Sequence, residues 1–582
     1  MHGWTGQTIT IDLTDSSIKE SKTQTSDLHS FIGGRGLGVK LYYDAIDPHI
    51  DPLAPENILI FATGPLTGTP APMSGRHVMV SKSPLTGTIL DSSSGGIFGK
   101  ELKFAGIDAL IFKGEAEEPV YISINNDEIK IEKANELWGE NVRSCTNRLS
   151  SQGRVACIGR AGERLVPMAS VMNDYYHACG RGGLGAVMGS KKLKAIVAKG
   201  DKKPSIADDQ GFEKARQEAG MLLKEGHGAS KGLSTYGTSA MANLMNYMKI
   251  LPAQNFRKSG FAGIDKVSGE FIKENYDIKG HACHNCTIAC KHIIKSGTFE
   301  GHEVPEYETL WAYGPDNNNL DMDAIIKINR LCNDYGIDTI SSGSTIAAYA
   351  EIMGEDIKEL SGLVKKIGEK EGIGAELGSG SKALSMSHNK NIAMQVKGLE
   401  LPGYDPRGVS GMALAYATSN RGGCHVRAYT IAPEILGKPG KIDPKTFSGK
   451  AELVRKFQNS TAALDSLVLC IFSSLVISEV DYANMLSTAT GVDYSIEDFQ
   501  KSGDRIWNLE RLFNNKAGFS RQDDSLPERF FESGGINKAE FEKALDEYYD
   551  LRRWDENGVP KKEKMRELYL PININPEKNS IF

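Results

Sequence analysis

The sequence predicts a mixed α/β (α+β) protein, with a β-rich N-terminal domain followed by two mostly helical domains. Its 582 residues are enough for about three domains, each with its own core. Residues 1–203 combine short alternating segments with many glycine-rich turns, whereas apolar residues beyond residue 207 recur at helical spacing. We place the domains at 1–203, 204–400 and 401–582, with a linker at Lys202-Lys203-Pro204-Ser205.

Strands are predicted in the first domain where apolar and polar residues alternate, because successive side chains of a strand face opposite sides of its sheet. Segments 8–13 and parts of 119–133 alternate in this way, and 56–63 has the apolar character of a short buried strand. Glycine-rich turns separate these segments. The domain is therefore expected to consist of short strands joined by tight turns.

A weak internal repeat lies within this domain. A glycine turn, a short helix, a basic step and a strand occur in that order at 95–114 and again at 182–200. Glycine permits close approach of the backbone to a ligand, and N–H groups at the start of a helix attract phosphate. Two related halves would thus offer two similar anion-binding turns facing each other. The simpler alternative is that the glycines only serve β-turns.

Helices are predicted along the rest of the chain. In 321–335, apolar residues share one face at 3.6-residue spacing, and Gly336 is suited to end the helix. Asp338 or Thr339 is suited to cap the next one. Further helices are predicted at 359–371 and 450–464, and two more within 538–570.

The composition narrows the class of protein. A formal net charge of −6 argues against non-specific nucleic-acid binding, which needs a basic surface. Nine cysteines in this length do not form a disulfide scaffold, which indicates a reducing compartment. The N-terminus has no signal-peptide pattern, and the longest apolar run, 467–477, is too short to span a bilayer. We therefore predict a cytoplasmic protein.

The strongest motif is a loop with three cysteines, Cys283, Cys286 and Cys290, separated by two and then three residues. Together with a remote fourth thiolate they match what a [4Fe-4S] cluster needs. Cys470 is the best candidate for that ligand, because it follows Asp465 in an apolar segment. A structural zinc remains the alternative, although zinc sites of this kind usually combine two C-x-x-C pairs and the chain has one.

Several runs in a fixed order make the whole chain resemble the aldehyde:ferredoxin oxidoreductase family of tungsten enzymes. Besides the cysteine loop these runs are Gly33-Gly34-Arg35-Gly36-Leu37-Gly38, Thr63-Gly64-Pro65-Leu66-Thr67-Gly68, Ser74-Gly75-Arg76, Met188-Gly189-Ser190-Lys191, Pro305-Glu306-Tyr307-Glu308-Thr309, Val396-Lys397-Gly398-Leu399-Glu400 and Arg552-Arg553-Trp554-Asp555. The resemblance implies a tungsten or molybdenum ion held by two pyranopterins, with a [4Fe-4S] cluster beside it. It also implies a Mg²⁺ ion that bridges the pterin phosphates.

The resemblance further assigns residues to these cofactors. Arg76 would lie between cluster and pterin, and the two glycine turns would hold the phosphates. A pterin-binding pattern, Asp-x-x-Gly-Leu followed by Asp or Cys, occurs twice, at 333–338 and 465–470. Both copies depart from it, because Asn333 replaces an acid and Val468 replaces glycine. The cofactor-binding residues implied are Arg76, Ser93, Gly95, Arg181, Gly182, Asn333, Asp338, Asp465 and Leu469.

For the chemistry, the resemblance points to Glu308 as the acid/base group and to His425 as an active-site histidine. A carboxylate in a dry pocket can accept a proton from water, and a histidine can hydrogen-bond the aldehyde oxygen as charge develops there. The implied reaction converts an aldehyde and water into a carboxylic acid. The electrons would pass through the cluster to ferredoxin or to an iron–sulfur subunit.

Two other functions remain open from the sequence. One is reduction of an aromatic acyl thioester on the same scaffold, within a larger complex. The other is a zinc-stabilised interaction protein without catalysis, which would be colourless and free of iron. We expect a homodimer or a hetero-oligomer, with no nucleic-acid partner and no membrane span.

Overall fold

The computed structural model describes residues 1–225 and 227–571. Its N-terminal part, up to residue 199, contains twelve strands and six helices. The elements are β1 (Gln7–Asp12), β2 (Ser17–Lys22), α1 (Thr25–Phe31), α2 (Gly34–Ala45), β3 (Leu59–Ala62), β4 (His77–Lys82), β5 (Ile89–Ser94), α3 (Phe98–Phe104), β6 (Ala109–Lys113), β7 (Val120–Asn125), β8 (Glu128–Lys133), α4 (Val142–Leu149), β9 (Arg154–Cys157), α5 (Arg160–Glu163), β10 (Val171–Asn173), β11 (His177–Cys179), α6 (Leu184–Ser190) and β12 (Leu193–Lys199).

These strands form two six-stranded sheets of the same topology. The first has the order β2-β1-β6-β3-β4-β5, and the second has the order β8-β7-β12-β9-β10-β11. In each sheet a hairpin is followed by three antiparallel strands, and the last strand of the half lies parallel to the first strand of the hairpin. A short helix, α3 or α6, precedes that last strand. The predicted internal repeat is therefore confirmed, and it extends over each whole half of the domain.

Equivalent glycines let each short helix pack closely against its sheet. A Cβ atom on Gly99 of α3 would lie 2.2 Å from the carbonyl oxygen of Arg76, which directly precedes β4. A Cβ atom on Gly185 of α6 would lie 2.5 Å from the carbonyl oxygen of Ser170, which directly precedes β10. Real Cβ atoms do not approach backbone oxygens this closely, so both positions require glycine.

The remainder of the chain is mostly helical, with three short two-stranded sheets. Its elements are α7 (Asp209–Glu225), α8 (His227–Tyr236), α9 (Met241–Tyr247), β13 (Pro252–Ala253), β14 (Lys258–Ser259), α10 (Gly269–Asn275), β15 (Ile278–His281), β16 (Lys291–Ile294), α11 (Tyr307–Tyr313), α12 (Met322–Tyr335), α13 (Thr339–Met353), α14 (Leu360–Glu369), α15 (Ile373–Leu377), α16 (Ser381–Ser387), β17 (Gln395–Val396), β18 (Leu399–Glu400), α17 (Ser410–Thr418), α18 (Ile431–Glu434), α19 (Lys450–Leu467), α20 (Glu479–Thr490), α21 (Ile496–Lys516), α22 (Lys538–Arg552) and α23 (Lys562–Glu567).

The predicted helix ends agree with the structure. Helix α12 ends at Gly336, whose φ of 69° is left-handed, and the carboxylate of Asp338 accepts a hydrogen bond from the backbone N–H of Ile340 at the start of α13.

The fold class predicted from the sequence, a β-rich N-terminal part followed by a mostly helical part, is confirmed. The boundary that we place at residue 400 within the helical part stays a prediction. None of the helices in the described residues is long and apolar enough to cross a bilayer.

Helix α19 connects the two ends of the chain. It packs against α2 of the N-terminal part and against α21 and α22 of the C-terminal part. The large side chains Trp507 and Trp554 are fully buried nearby. The buried guanidinium of Arg552 donates hydrogen bonds to Asn459 on α19 and to Asp504 on α21. Because α19 ends at residue 467, this packing fixes the position of the segment that leads to Cys470.

We predict that Gly99→Ala and Gly185→Ala each destabilise the protein by about 1–3 kcal/mol, since an added methyl group would collide with backbone rather than with a flexible side chain. The measurement is the midpoint of thermal unfolding of each variant.

Gly220→Ala in α7 is the matched control. No described atom lies within 4 Å of a Cβ atom at that position, so alanine should stabilise its helix by about 0.5–1 kcal/mol. Equal effects at all three positions would contradict the close-packing explanation.

Candidate metal and cofactor site

The cysteine loop lies at the turn of the hairpin formed by β15 and β16. Cys286, Cys290 and Cys470 pack against the same apolar cluster, and all four predicted thiols are partly buried. Burial raises the pKa of the Cys470 thiol to about 11, with smaller contributions in the same direction from Cys283 and Cys286. The structure therefore brings the four cysteines together.

In the described residues, the thiols are not arranged around the position of a single metal ion. Within residues 1–225 and 227–571, no three His, Cys, Asp or Glu side chains converge closely enough to hold one metal ion. Four thiolates around a single zinc lie at about 2.3 Å from it, whereas a [4Fe-4S] cube takes its thiolates at separate corners.

The loop is held against the N-terminal domain by side-chain and backbone hydrogen bonds. The side-chain amide of Asn285 donates to the carbonyl oxygens of Pro70 and Ala71, each at 2.7 Å. The N–H of His284 donates to the carbonyl oxygen of Gly96, and a Cβ atom on Gly75 would lie 2.6 Å from that oxygen. The thiols are therefore presented directly above the first glycine turn of the repeat.

Arg76 lies beside Cys470, and its predicted place between cluster and pterin stays a prediction. Its Nη1 is 3.9 Å from the Sγ of Cys470. Its Nη2 donates to the carbonyl oxygen of Ser93 at 3.2 Å and to the Ser93 hydroxyl at 3.0 Å. Arg76 and Ser93 thus form one unit that connects the cysteines to strand β5.

The two glycine turns differ in what occupies them. At the first turn, the carboxylate of Asp174 accepts from the N–H groups of Ile97 at 2.7 Å and Phe98 at 3.1 Å, and the side-chain amide of Asn173 donates to the carbonyl oxygen of Gly95. A carboxylate of the chain itself therefore takes the amides that we predicted for a phosphate. This contact could not be predicted from the sequence pattern, because Asp174 belongs to the other half of the repeat.

At the second turn, the carbonyl oxygen of Gly182 accepts from the Ser83 hydroxyl at 2.7 Å. Gly182 has a φ of +86°, and a Cβ atom there would lie 2.1 Å from the side chain of Leu90. The carbonyl oxygens of Ser93 and Gly182 each accept from one side chain, and a carbonyl oxygen has a second lone pair. Their predicted contact with Mg²⁺ stays a prediction.

Arg181 joins three segments around the site. It donates to the carboxylate of Asp338 at 3.3 Å, to the carbonyl oxygen of Gly423 at 2.8 Å and to that of Glu400 at 2.6 Å. Arg181 and Asp338 are both buried. The structure thus brings together two residues that the sequence assigned to different parts of the cofactor site.

Asn333 lies nearer to the cysteine loop. Its side-chain amide donates to the carboxylate of Glu303 at 2.8 Å, and Glu303 in turn pairs with Lys291, the residue that follows Cys290. The predicted pterin contact of Asn333 is not tested by this geometry and stays a prediction.

Asp465 is part of a buried cluster of charges. One of its carboxylate oxygens accepts from Arg35 at 3.3 Å and from Arg427 at 2.5 Å. Asp91 on β5 also pairs with both arginines, at 3.3 and 2.8 Å, and Glu510 on α21 pairs with Arg35 at 2.8 Å. The second pterin segment is therefore anchored by its acid to both parts of the fold.

The segment after Asp465 keeps the turn that a glycine would give. Val468 has a φ of +64°, so α19 ends in a left-handed residue despite the branched side chain. This conformation costs a non-glycine residue about 1–2 kcal/mol. Leu469 is buried beside it in the cluster that also contacts the cysteines.

Glu308 and His425 lie next to each other. The nearer carboxylate oxygen of Glu308 is 3.6 Å from Nε2 of His425, and both side chains are 16% exposed. The other oxygen accepts from the N–H of Gly403 at 2.9 Å. Burial raises the pKa of Glu308 to about 8. Burial and the nearby Arg181, Arg421 and Arg427 lower the pKa of His425 to about 3. At neutral pH a protonated carboxyl group therefore faces a neutral imidazole.

Tyrosines surround this pair, and the sequence analysis did not identify them. The ring of Tyr404 lies 5.5 Å from that of His425, and its hydroxyl is 3.2 Å from the hydroxyl of Tyr429. The Tyr307 hydroxyl donates to the carbonyl oxygen of Gly403 at 2.5 Å. The sequence contained one indication of them. Gly403 and Tyr404 stand between two prolines, about twenty residues before His425.

A strained turn supports the Glu308 side of the site. Gln254, Asn255 and Phe256 all have left-handed backbones, with φ between 54° and 58°. The buried carboxylate of Asp316 accepts from the N–H of Asn255 at 2.8 Å. The ring of Phe256 packs against Trp311, which lies one helical turn after Glu308. The turn thus holds α11 in place, and the hydrogen bonds of Asp316 compensate its strain.

The chain matches known proteins along nearly its full length. The family model described as aldehyde ferredoxin oxidoreductase, N-terminal domain, matches residues 8–200, and the model for domains 2 and 3 of the same enzyme matches residues 214–570. Tungsten-containing aldehyde ferredoxin oxidoreductases from Pyrococcus furiosus and Thermococcus kodakarensis are 42% and 41% identical to it, over 98% of this chain and 99% of each relative.

One solved structure is also similar, the active-site complex BamBC of benzoyl coenzyme A reductase with 1,5-dienoyl-CoA. It superposes with a TM-score of 0.86 over 98% of this chain and 97% of that chain. The sequence identity is 23%, so this likeness concerns the fold alone.

We predict that Asp316→Asn changes the pH dependence of stability. Burial raises the pKa of Asp316 to about 8 from its ordinary value near 3.8, so its contribution to stability is fully present below that ordinary value and is lost as the pH rises towards 8. Asparagine keeps an acceptor and cannot ionise. Thermal unfolding should show the variant gaining stability relative to the parent at about pH 9 compared with about pH 6.

Asp316→Ala is the comparison variant. It removes the acceptor of the Asn255 N–H and should destabilise the protein at both pH values by about 1–3 kcal/mol. If the asparagine variant followed the parent at both pH values, ionisation of Asp316 would have no part in stability.

Proposed function

The chain belongs to the aldehyde ferredoxin oxidoreductase family, and from this premise we propose that it oxidises aldehydes to carboxylic acids and passes the electrons to ferredoxin. The balanced reaction converts one aldehyde and one water into one carboxylic acid, two electrons and two protons. The observation that carries the proposal is the contact of Glu308 with His425 at 3.6 Å, both 16% exposed, in a fold that also brings the four cysteines together.

The residues present fit the cofactors that this family implies. Four cysteines would hold a [4Fe-4S] cluster, and Arg76, Arg181, Asp338 and Asp465 would hold the two pterins of a tungsten cofactor. When bound, that cofactor supplies an acceptor for the electron pair. The glycines of the two turns let neighbouring segments of the chain pack against the turn backbone, where a Cβ atom would collide with them. A Mg²⁺ ion near Ser93 and Gly182 belongs to the same proposal.

Glu308 would accept the proton that the attacking water loses. Burial raises the pKa of Glu308 to about 8, so its ionised form is a stronger base than an ordinary carboxylate and becomes more abundant as the pH approaches 8. In that form it accepts a proton from an attacking water. The hydrogen bond from Gly403 fixes one of its oxygens, which leaves the other oxygen directed at His425. Glu308 would therefore take the proton of the water as the carboxyl group of the product forms.

His425 would orient the aldehyde. A neutral imidazole donates one N–H, and it can hydrogen-bond a carbonyl oxygen without carrying a charge of its own into the site. The rings of Tyr404 and Tyr429 pack around it and form an aromatic wall of the site. The arrangement suits a substrate that has a carbonyl group and an apolar remainder.

The cysteine loop would be the exit for electrons. Ala282, Asn285 and Thr287 of the loop are exposed, whereas Glu308 and His425 lie deeper in the protein. A cluster held by this loop would therefore be close to a docked ferredoxin or iron–sulfur subunit.

Metal analysis of the anaerobically purified protein tests the proposal directly. Tungsten or molybdenum should be present in protein from cells supplied with both, together with iron and acid-labile sulfide. Absence of both heavy metals in active, folded protein would refute the proposed cofactor.

We predict that Cys283→Ala and Cys470→Ala each lose the cluster, measured as a fall from about four irons per chain and loss of brown colour. Cys145→Ala is the control, because this buried thiol lies in α4 and contacts Cys157 rather than the loop. One zinc and no iron in the parent protein would instead favour the zinc-stabilised alternative.

We predict that Glu308→Gln lowers kcat about 10²–10⁴-fold with tungsten retained, because glutamine cannot accept a proton. In the parent, kcat/KM should rise as the pH approaches about 8, where Glu308 loses its proton. This rise should be missing in the variant. Glu300→Gln, on an exposed turn, serves as the control. A full rate in Glu308→Gln would show that another group is the base.

A further inference from the structure

His177 lies near Cys283, and neither the sequence motifs nor the proposed mechanism uses this histidine. At Gly95, a Cβ atom would lie 2.9 Å from the Sγ of Cys283, 3.2 Å from Nδ1 of His177 and 3.6 Å from Nη1 of Arg76. A thiol, an imidazole nitrogen and a guanidinium therefore converge on one small volume, which exists only because residue 95 is glycine.

His177 is held in this place by a hairpin of the second repeat. It begins β11 and lies opposite Asn173 of β10. The side chain of Asn173 accepts from the Ser94 hydroxyl at 2.5 Å and donates to the carbonyl oxygen of Gly95 at 2.9 Å. The hairpin that carries His177 is thus attached to the glycine turn that faces the cysteine loop.

The turn of that hairpin is strained. Asp174 and Tyr175 both have left-handed backbones, with φ of 50° and 70°, a conformation that is unfavourable for residues other than glycine. The carboxylate of Asp174 binds two N–H groups at the start of α3, which compensates part of this cost. Such strain is maintained where the position of a side chain matters.

The imidazole itself is buried, with 5% of its surface exposed. Its Nε2 has no hydrogen-bond partner among the described residues. A neutral imidazole carries one N–H, and a nearby thiolate sulfur is an acceptor that would draw this proton to Nδ1. Nδ1, the nitrogen that lies beside Gly95 together with the Cys283 thiol, is therefore the one expected to donate.

We propose that His177 donates an N–H···S hydrogen bond to the Cys283 corner of the iron–sulfur cluster and raises its reduction potential. This inference rests on the proposed cluster. Hydrogen bonds to the sulfurs are among the factors that set the potential of such clusters. A donor stabilises the reduced form, which carries the additional negative charge. Arg76, whose Nη1 also lies 3.9 Å from the Cys470 thiol, would be a second donor on the same side of the cluster.

The experiment is a redox titration of the reduced cluster, followed by electron paramagnetic resonance, on the anaerobically purified holoenzyme. His177→Phe keeps a ring of similar size but has no donor, and its midpoint potential should be more negative than that of the parent. His177→Gln keeps a donor in its side-chain amide, and its potential should lie closer to the parent value. His302→Phe, which removes an imidazole that contacts Phe299 outside the cysteine loop, should leave the potential unchanged.

The outcomes separate this inference from the proposed function. A parent protein without iron and acid-labile sulfide would refute the cluster itself. If His177→Phe retains the irons and the parent potential, the hydrogen bond is refuted and the cluster stands. If His177→Phe loses its iron, His177→Gln decides: a complete cluster with a parent-like potential supports the donor role, and equal loss of iron shows that the imidazole only packs.

Discussion

The structure depends above all on a buried group of charges centred on Arg35. This guanidinium, 1% exposed, pairs with Asp91 of the first sheet, Asp465 of α19 and Glu510 of α21. Arg427 pairs with the same two aspartates. Burying isolated charges is prohibitive, and loss of one partner from such a group typically costs about 3–5 kcal/mol. The charges are therefore stable only when all these segments are assembled together, which fixes the two parts of the fold relative to each other.

The same group determines where the candidate site forms. Asp465 precedes Cys470 on one short segment, Asp91 precedes Ser93 on β5, and Arg427 follows His425. Each charged residue thus positions a predicted site residue two to five positions away. A cofactor that fills the space between these segments would meet groups whose positions are set by ion pairs rather than by flexible loops.

Much of the fold was predictable because it is encoded locally. The alternation of apolar and polar residues predicted the strands, and the 3.6-residue spacing of apolar residues predicted α12 and α19. Gly336 and Asp338 predicted the end of one helix and the start of the next. The repeat was visible in its glycines because close packing of α3 and α6 requires them at equivalent positions. The cysteine loop was predictable for the same reason, since its ligands are close together in sequence.

The features that the sequence did not reveal all depend on contacts between distant segments. Asp174 binds amides of the first half from within the second, and the left-handed turn at 254–256 is stabilised by Asp316 and packs on Trp311.

The two parts of the fold contribute different residues to the candidate site. The β-rich domain directs Arg76 and His177 at the cysteines, where electrons would leave. The helical part directs Glu308 and His425 at each other, where a proton would be taken. Arg181, a residue of the β-rich domain, binds backbone of the loop that carries the histidine. The pKa of Glu308 is raised chiefly by burial, so the packing around Glu308 sets the proton affinity of the proposed base.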